Sequence, residues 1–285
     1  MKKKINSILI ANRGEVASRI IRTCQQMGIA SIVIYSDIDK SANYVKKADQ
    51  AYYIGGNQPG ESYLNINKII SIAKKIKVDA IHPGYGFLSE NVDFAKRCEK
   101  ENIIFIGPNV ESIEIMSSKS KARNYLEKFG IEMVPGYSSE TKDINSYLKQ
   151  AKKIGYPIVI KAALGGGGKG MRIVNKESDF KELFIQAQRE SKNAFGDDKV
   201  LIEKYISDGR HIEIQLLGDK FNNLIHLYER ECTIQRRFQK IIEESPSPTL
   251  NDSLRKAMCD SAISIGKLLK YDSLGTVEYL SLIHI

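Results

Sequence analysis

The sequence predicts an α/β protein whose first part is a parallel sheet covered by helices. Four short apolar runs, at residues 7–11, 31–35, 79–82 and 103–106, are separated by segments of helical periodicity. Short strands that alternate with helices form parallel sheets with helices on both faces. Ligands of such sheets bind beyond the carboxyl ends of the strands, where the turns 12–15 and 83–90 lie.

The first helix is predicted directly after the turn at residues 12–15. Its apolar residues Val16, Ile20, Ile21 and Cys24 recur at helical spacing and share one face. Two further helices are predicted at residues 63–76 and 94–100, between the later strands. Each apolar run is therefore followed by a helix, as a parallel sheet requires.

From about residue 114 the pattern changes, and we predict two domains, residues 1–113 and 114–285. The second begins with a helix at about 114–130. Further helices are predicted at 144–154, 178–192 and 250–269, and strands at 157–162, 171–174, 200–205, 211–217, 224–231 and 275–280. Strands dominate its second half, unlike the regular alternation of the first domain.

The formal net charge of +9 is compatible with a phosphate-bearing small molecule, and scattered lysines argue against a nucleic-acid interface. The four cysteines, Cys24, Cys98, Cys232 and Cys259, form no C-x-x-C pair and no zinc spacing. Isolated cysteines are typical of a reducing compartment. No apolar run approaches 18 residues, and the N-terminal one is too short for a signal peptide. We therefore expect a cytoplasmic protein that binds neither membrane nor nucleic acid.

The strongest motif is a run of four glycines, residues 165–168, between two predicted strands. Glycine lets backbone N–H groups approach phosphate oxygens closely. The run is not a Walker A loop, because Ala163 stands where the first glycine belongs and Gly170 follows Lys169. A glycine flap over a triphosphate and a flexible hairpin turn both fit. The position of Lys161, at the end of the preceding strand, favours the flap.

Polar residues also occupy predicted strands in the second domain. His211, Glu213 and Gln215 alternate with apolar residues and share one face, which is either a solvated surface or the floor of a site. Glu278 lies in the middle of an apolar strand, where a carboxylate is costly unless it faces outward, pairs or binds a cation. The charged segment 229–244 is either a solvated strand end or part of an anion-binding cleft.

Five motifs in order resemble the biotin carboxylase family of the ATP-grasp superfamily, from about residue 6 to about residue 280. They are ILIANRGE at 8–15, HPGYGFLSEN at 82–91, Lys161 with its glycine loop, QRRFQK at 235–240 and GTVE at 275–278. The resemblance implies a Rossmann-like pre-ATP-grasp domain followed by an ATP-grasp fold. That fold would contain a small lid subdomain with the glycine flap, at about 132–204, and would be incomplete at the C-terminus.

The resemblance also implies a role for each matching residue. Lys119 and Lys161 would contact the phosphates of ATP, and Gly167 and Gly168 would lie in the flap. The adenine-binding hinge would be Glu203, Lys204, Tyr205 and Ile206. His211 and Gln235 would contact the ribose or phosphates, Glu278 would bind magnesium or manganese, and Lys240 would hold bicarbonate.

The reaction implied by the resemblance is ATP-dependent carboxylation of biotin by bicarbonate, through carboxyphosphate. The expected partners are a biotin carboxyl carrier protein or domain and the carboxyltransferase subunit of an acyl-CoA carboxylase, with a homodimer when the enzyme is complete. Short segments near residues 55–66 and 118–121 are slightly more similar to the propionyl- or methylcrotonyl-type α subunits. Two alternatives are another ATP-grasp ligase of carbamoyl-phosphate type and a nucleotide-binding module without turnover.

Two features depart from the family pattern. Phe238 stands where the family most often has His and sometimes Asn, which puts one polar contact to the nucleotide in doubt. Residues 281–285 do not match the family, whose second metal-binding Glu and catalytic Arg are absent. We therefore expect a truncated chain that is inactive by itself.

Overall fold

The computed structural model describes residues 4–139, 143–164, 170–236 and 238–281. The chain forms two compact units, residues 1–113 and 114–285. Within the described ranges, no helix has both the length and the apolar character needed to cross a membrane.

The first unit is built on a parallel sheet, as the sequence pattern predicts, and this sheet has five strands. Its strands are β1 (Ser7–Ile10), β2 (Ala30–Ser36), β3 (Gln50–Gly55), β4 (Ala80–His82) and β5 (Ile104–Phe105), in the order β3-β2-β1-β4-β5. The helices along this part of the chain are α1 (Gly14–Gln26), α2 (Asn43–Lys47), α3 (Ile66–Lys75), α4 (Val92–Lys100) and α5 (Val110–Met116). Strand β3 was not predicted from the sequence.

Alternate residues of each strand face two different helical layers. Leu9 belongs to the core that contains Phe94 of α4, whereas Ile8 and Ile10 belong to the core that contains Ile21 of α1. All five of these side chains are at most 6% exposed. Burial on both faces explains why β1 reads as a continuous apolar run instead of an alternating one.

The second unit begins with helix α6 (Lys119–Glu127) and an antiparallel sheet of four strands. The elements that follow are β6 (Gly136–Ser138), α7 (Ile144–Ile154), β7 (Ile158–Ala162), β8 (Arg172–Val174), α8 (Phe180–Phe195) and β9 (Val200–Lys204), with sheet order β6-β9-β7-β8. The aromatic residues Tyr147, Phe180 and Phe184 of the two long helices pack against Ile158 and Ile160 of the central strand β7. This core fixes the ends of β7 and β9.

A second antiparallel sheet follows, with order β11-β10-β14. Its elements are β10 (Arg210–Gly218), β11 (Leu224–Glu231), the short hairpin β12 (Gln235–Arg236) and β13 (Gln239–Lys240), helix α9 (Asp252–Leu268) and β14 (Leu274–Ser281). Ile212 and Ile214 on one face of β10 pack against Met258 and Ala262 of α9. Because side chains alternate along a strand, His211 and Glu213 lie on the opposite face.

Candidate functional site

Two turns meet at the carboxyl edge of the parallel sheet in the first unit. The buried side chain of Asn12 donates from Nδ2 to the carbonyl oxygens of Pro83 (2.7 Å) and Tyr85 (2.9 Å). Arg13 pairs with the buried Asp39 through Nε–Oδ2 (2.7 Å) and Nη2–Oδ1 (2.5 Å) bonds. The two motifs that flank this edge are therefore held in one fixed arrangement.

In the second unit, two carboxylates face each other on the sheet surface that α9 does not cover. Glu213 of β10 is directly opposite Glu278 of β14 in the antiparallel register. Glu213 is only 3% exposed, whereas the side chain of Glu278 is 57% exposed. The buried carboxylate needs cationic partners, because an unpaired buried charge is strongly destabilising.

Lys240 and Arg230 supply those cationic partners. The Lys240 ammonium, at the end of the β12–β13 hairpin, donates to Glu213 Oε2 and to Glu278 Oε1, the latter at 2.9 Å. Arg230 of β11 donates from Nε to Glu213 Oε1 at 2.5 Å and from Nη1 to Gln215 Oε1 at 3.0 Å. Glu213 is therefore held by one cation on each oxygen.

The cluster fixes the protonation of Glu278 and Lys240. The His211 imidazole and the Lys240 ammonium beside it outweigh the effect of burial and lower the pKa of Glu278 from 4.5 to about 2. Burial alone would lower the pKa of Lys240, but hydrogen bonds to Glu213 and Glu278 raise it above its ordinary value. Glu278 is therefore an anion and Lys240 a cation at neutral pH.

His211 is oriented by Gln235. The Gln235 amide nitrogen lies 2.7 Å from His211 Nδ1 and donates to the carbonyl oxygen of Cys232 at 2.8 Å. With the amide as donor, Nδ1 is the acceptor and the ring proton of the neutral imidazole is on Nε2. That buried Nε2 makes no hydrogen bond within the described part of the chain and lies 3.7 Å from Glu278 Oε1.

The same residues have ligand atoms suited to a divalent cation. Ligand atoms of His211, Glu213 and Glu278 lie within 4.8 Å of one another. Carboxylate oxygens are the ligands that magnesium and manganese prefer, and the partly exposed Glu278 is accessible to an ion that keeps some of its water. The residues present therefore fit a cation held mainly by Glu278.

A second group of charged residues lies where β7 and β9 pair. Lys161 Nζ, near the end of β7, donates to Glu203 Oε2 at 2.6 Å. Burial would raise the pKa of Glu203, but Lys161 and Arg123 outweigh it and hold that pKa below its ordinary value. The backbone N–H of Lys119 donates to the carbonyl oxygen of Ala163 at 3.1 Å, so the start of α6 is tied to the chain just after Lys161.

The segment after Glu203 is anchored by its neighbours. Lys204 donates from Nζ to the carbonyl oxygens of Gly155 and Tyr156, each at 3.0 Å. The backbone N–H of Tyr205 donates to Pro157 O at 3.1 Å, and Ile206 is half-buried. Lys204 is therefore committed to a structural contact, and its side chain braces the loop before β7.

The structure thus brings together four of the predicted site residues, His211, Gln235, Lys240 and Glu278, and separately pairs Lys161 with Glu203. Gly167 and Gly168 lie outside the described residues. Phe238 lies in the two-residue loop of the β12–β13 hairpin, 44% exposed and with φ +64°.

Arg230 and Arg123 were not singled out from the sequence. Arg230 lies in the charged segment 229–244, which was recognised only as a whole. Arg123 is a charged residue on the buried face of α6, three positions before the buried Leu126. A helical projection of residues 119–127 shows that position, although the projection does not identify its partner.

The fold, with Glu213 of β10 opposite Glu278 of β14, is that of an ATP-grasp protein. Comparison with known proteins identifies the family. Residues 4–113 match the family model described as "Biotin carboxylase, N-terminal domain", and residues 118–282 match "Carbamoyl-phosphate synthase L chain, ATP binding domain". The chain belongs to the biotin carboxylase family.

Two curated relatives show the extent of the match. Methylcrotonoyl-CoA carboxylase subunit alpha of Dictyostelium discoideum is 49% identical, over 98% of this chain and 40% of its own length. Biotin carboxylase 2 of Bacillus subtilis is 48% identical, over 96% of this chain and 62% of its own length. The chain therefore spans less than two thirds of these relatives.

Solved structures of biotin carboxylases are also similar to this chain. The biotin carboxylase of Campylobacter jejuni, in a complex described as β-γ-ATP, has a TM-score of 0.94 and 48% identity, over 97% of this chain and 62% of that one. The biotin carboxylase domain dimer of 2-oxoglutarate carboxylase from Hydrogenobacter thermophilus has a TM-score of 0.94 and 43% identity, over 98% and 61%. That structure is described as containing MgADP, ADP and bicarbonate.

Proposed function

We propose that this chain binds MgATP and bicarbonate for the carboxylation of biotin, as part of an acyl-CoA carboxylase. The observation that carries the proposal is the Lys240 ammonium between Glu213 and Glu278, beside the His211–Gln235 pair. A cation next to a cation-binding carboxylate can place a small anion near a metal-bound triphosphate. The similarity to a structure described with MgADP and bicarbonate supports this assignment.

In the proposed reaction, a bicarbonate oxygen attacks the γ-phosphorus of ATP and the bond to ADP breaks, giving carboxyphosphate. Carboxyphosphate then releases CO2, and the phosphate that remains takes the proton from the biotin ureido nitrogen, which attacks CO2. Glu278 would hold the magnesium ion, which would neutralise charge on the transferring phosphoryl group. Lys240 holds and orients the bicarbonate, and its raised pKa keeps it a cation throughout.

The remaining residues hold the nucleotide in this proposal. Lys161 and Lys119 contact its phosphates, and the flap with Gly167 and Gly168 excludes water that would hydrolyse carboxyphosphate. The adenine hinge consists of Glu203, Lys204, Tyr205 and Ile206. Lys204 contributes to it through its backbone, because its ammonium donates to two carbonyl oxygens of the loop before β7. His211 and Gln235 contact the ribose or phosphates.

The partners we propose are a biotin carboxyl carrier protein or domain and a carboxyltransferase. Several relatives are named as carboxylase alpha subunits, and one structural neighbour is described as a domain dimer, which supports a homodimer. This chain spans 62% of a biotin carboxylase relative, and the resemblance places a second metal-binding Glu and a catalytic Arg in the remainder. We therefore propose that the 285-residue chain by itself binds MgATP with little turnover.

The test combines binding with turnover. MgATP binding to the chain is measured by calorimetry, and ADP release is measured with and without bicarbonate and free biotin, for the chain and for a protein that includes the family's C-terminal part. ADP release that requires biotin in the longer protein supports the proposal. Release that requires bicarbonate but not biotin would point to a carbamoyl-phosphate-type ligase. MgATP binding without ADP release in both the chain and the longer protein would indicate a nucleotide-binding module without turnover.

A further inference from the structure

Arg123 is a buried cation to which the proposed reaction assigns no role. It lies on α6 and is 7% exposed. Its Nη2 donates to Glu203 Oε1 at 2.8 Å and to the carbonyl oxygen of Val134 at 2.7 Å. Its Nη1 donates more weakly to Glu127 Oε1, at 3.3 Å, and that side chain is half exposed.

The surrounding backbone leaves space for this guanidinium. Gly136 of β6 is directly opposite Glu203 of β9 in the sheet register. A Cβ atom at Gly136 would approach Arg123 Nη2 and the carbonyl oxygen of Ile202 to 2.7 Å each. A side chain at position 136 would therefore crowd the guanidinium at the point where Arg123 reaches Glu203.

Glu203 is shared between two cations. Its Oε1 accepts from Arg123 and its Oε2 accepts from Lys161, at 2.8 and 2.6 Å. In a pair consisting of Glu203 and Lys161 alone, the carboxylate would neutralise the lysine. With Arg123 included, the Glu203 carboxylate is shared by two cations, and the further Arg123 partner Glu127 is half exposed, so solvent screens much of its charge. Lys161 therefore keeps its attraction for phosphate.

The position of Arg123 on α6 adds a second connection. Lys119 begins the same helix one turn earlier, and its backbone N–H is bonded to Ala163, two residues after Lys161. The helix that carries Arg123 is thus fixed at one end to Ala163, which directly follows β7, and to β9 by the Arg123–Glu203 pair. Both predicted phosphate lysines lie next to these two anchors.

We propose that Arg123 is a positioning residue for the nucleotide phosphates: it fixes the Glu203 carboxylate, which in turn aims Lys161, and it offsets the Glu203 charge that would otherwise neutralise Lys161. The inference rests on the proposed MgATP binding. A guanidinium suits this task because its planar fork binds a carboxylate and a carbonyl at the same time, which a lysine cannot reproduce in the same geometry.

The test is a double-mutant cycle on nucleotide affinity, with Arg123→Met, Glu203→Gln and the double variant. We expect Arg123→Met to weaken MgATP binding about tenfold, and Arg123→Lys to weaken it less. Adenosine affinity should fall by less than MgATP affinity, because only the phosphates sense the lost charge. The control Glu127→Gln removes only the exposed partner of Arg123 and should leave MgATP affinity unchanged. A purely structural role would lower the melting temperature and reduce both affinities equally.

The outcomes are distinct. If Arg123 acts through Glu203, adding Arg123→Met to Glu203→Gln changes MgATP affinity less than twofold, and this comparison is decisive even if Arg123→Met alone does not fold. Additive losses, or unchanged MgATP affinity in Arg123→Met, would overturn the inference while leaving MgATP binding intact. A wild-type chain that does not bind MgATP would overturn the proposed function and this inference with it.

Discussion

Glu213 and Glu278 lie directly opposite each other on neighbouring antiparallel strands, and the Lys240 ammonium bonds to both carboxylates. Like charges at such a position are destabilising, so the pair depends on the cation between them. Under the proposed function, a divalent cation at Glu278 and an anion at Lys240 would each replace part of this existing contact. The partners of these preformed charges would in that case exchange when the ligands bind.

Replacing Lys240 should expose the repulsion between the two carboxylates. We expect Lys240→Met to lower the free energy of unfolding at pH 7 by about 1–3 kcal/mol, because Glu213 retains only Arg230 and Glu278 loses its cation. Urea denaturation measures the change, and Lys220→Met, at an exposed position in a turn of the same unit, is the control. Equal stability of the two variants would show that Lys240 does not hold the carboxylates together.

Glu278 should make the stability of the protein dependent on pH in the acid range. Its pKa is about 2 in the folded protein and 4.5 ordinarily, so ionisation favours the folded state. This stabilisation is complete above pH 4.5 and is lost as the pH falls towards 2. Because the side chain is 57% exposed, solvent screening limits the effect to about 1 kcal/mol.

Glu278→Gln should therefore flatten the curve of unfolding free energy against pH in that window. The exposed Glu132→Gln is the matched control and should retain the wild-type curve. The measurement is urea denaturation at a series of pH values in the acid range. An unchanged slope in Glu278→Gln would contradict the pKa shift and the contacts that cause it.

The acidic cluster shows how far the sequence determines a site. Strict alternation along β10 placed His211 and Glu213 on one face, and the structure confirms it. The contact of Lys240 with Glu213 spans 27 residues, and it depends on the pairing of strands and the position of a hairpin. Local periodicity carries no information on either, so the family resemblance, and not the pattern, pointed to Lys240.

Strand β3 shows the same limit in the fold. The four predicted strands of the parallel sheet are apolar runs, but Gln50–Gly55 contains Tyr52 and Tyr53 and begins with a polar residue. It lies at the edge of the sheet, where only one neighbour, β2, pairs with it. Tyr53 of β3 is 54% exposed, so this strand is incompletely buried and lacks the continuous apolar signal of the four predicted strands.

Lys161→Met should weaken MgATP binding by about 10- to 100-fold, as expected for loss of a charge-assisted phosphate contact worth about 1.5–3 kcal/mol. Calorimetry with an ATP analogue measures the change. Lys149→Met is the control, since that lysine is exposed on α7 of the same unit and removes the same charge. If both variants bound MgATP like the wild type, Lys161 would have no phosphate contact.

Phe238 offers a prediction about the hairpin itself. Its φ of +64° lies in the left-handed region, which costs a non-glycine residue about 1 kcal/mol and which Asn adopts far more readily than Phe. The ring is 44% exposed, so little apolar burial is lost on replacement. We expect Phe238→Asn to raise the free energy of unfolding by about 0.5–1 kcal/mol, measured by urea denaturation.

The control for this variant is Phe221→Asn, which replaces a phenylalanine that is 64% exposed and lies outside the left-handed region. It should leave stability unchanged within about 0.5 kcal/mol. Phe238→Gly should stabilise less than Phe238→Asn, since glycine also adds entropy to the unfolded chain. A Phe238→Asn variant less stable than the wild type would show that the phenylalanine ring contributes packing that outweighs its backbone strain.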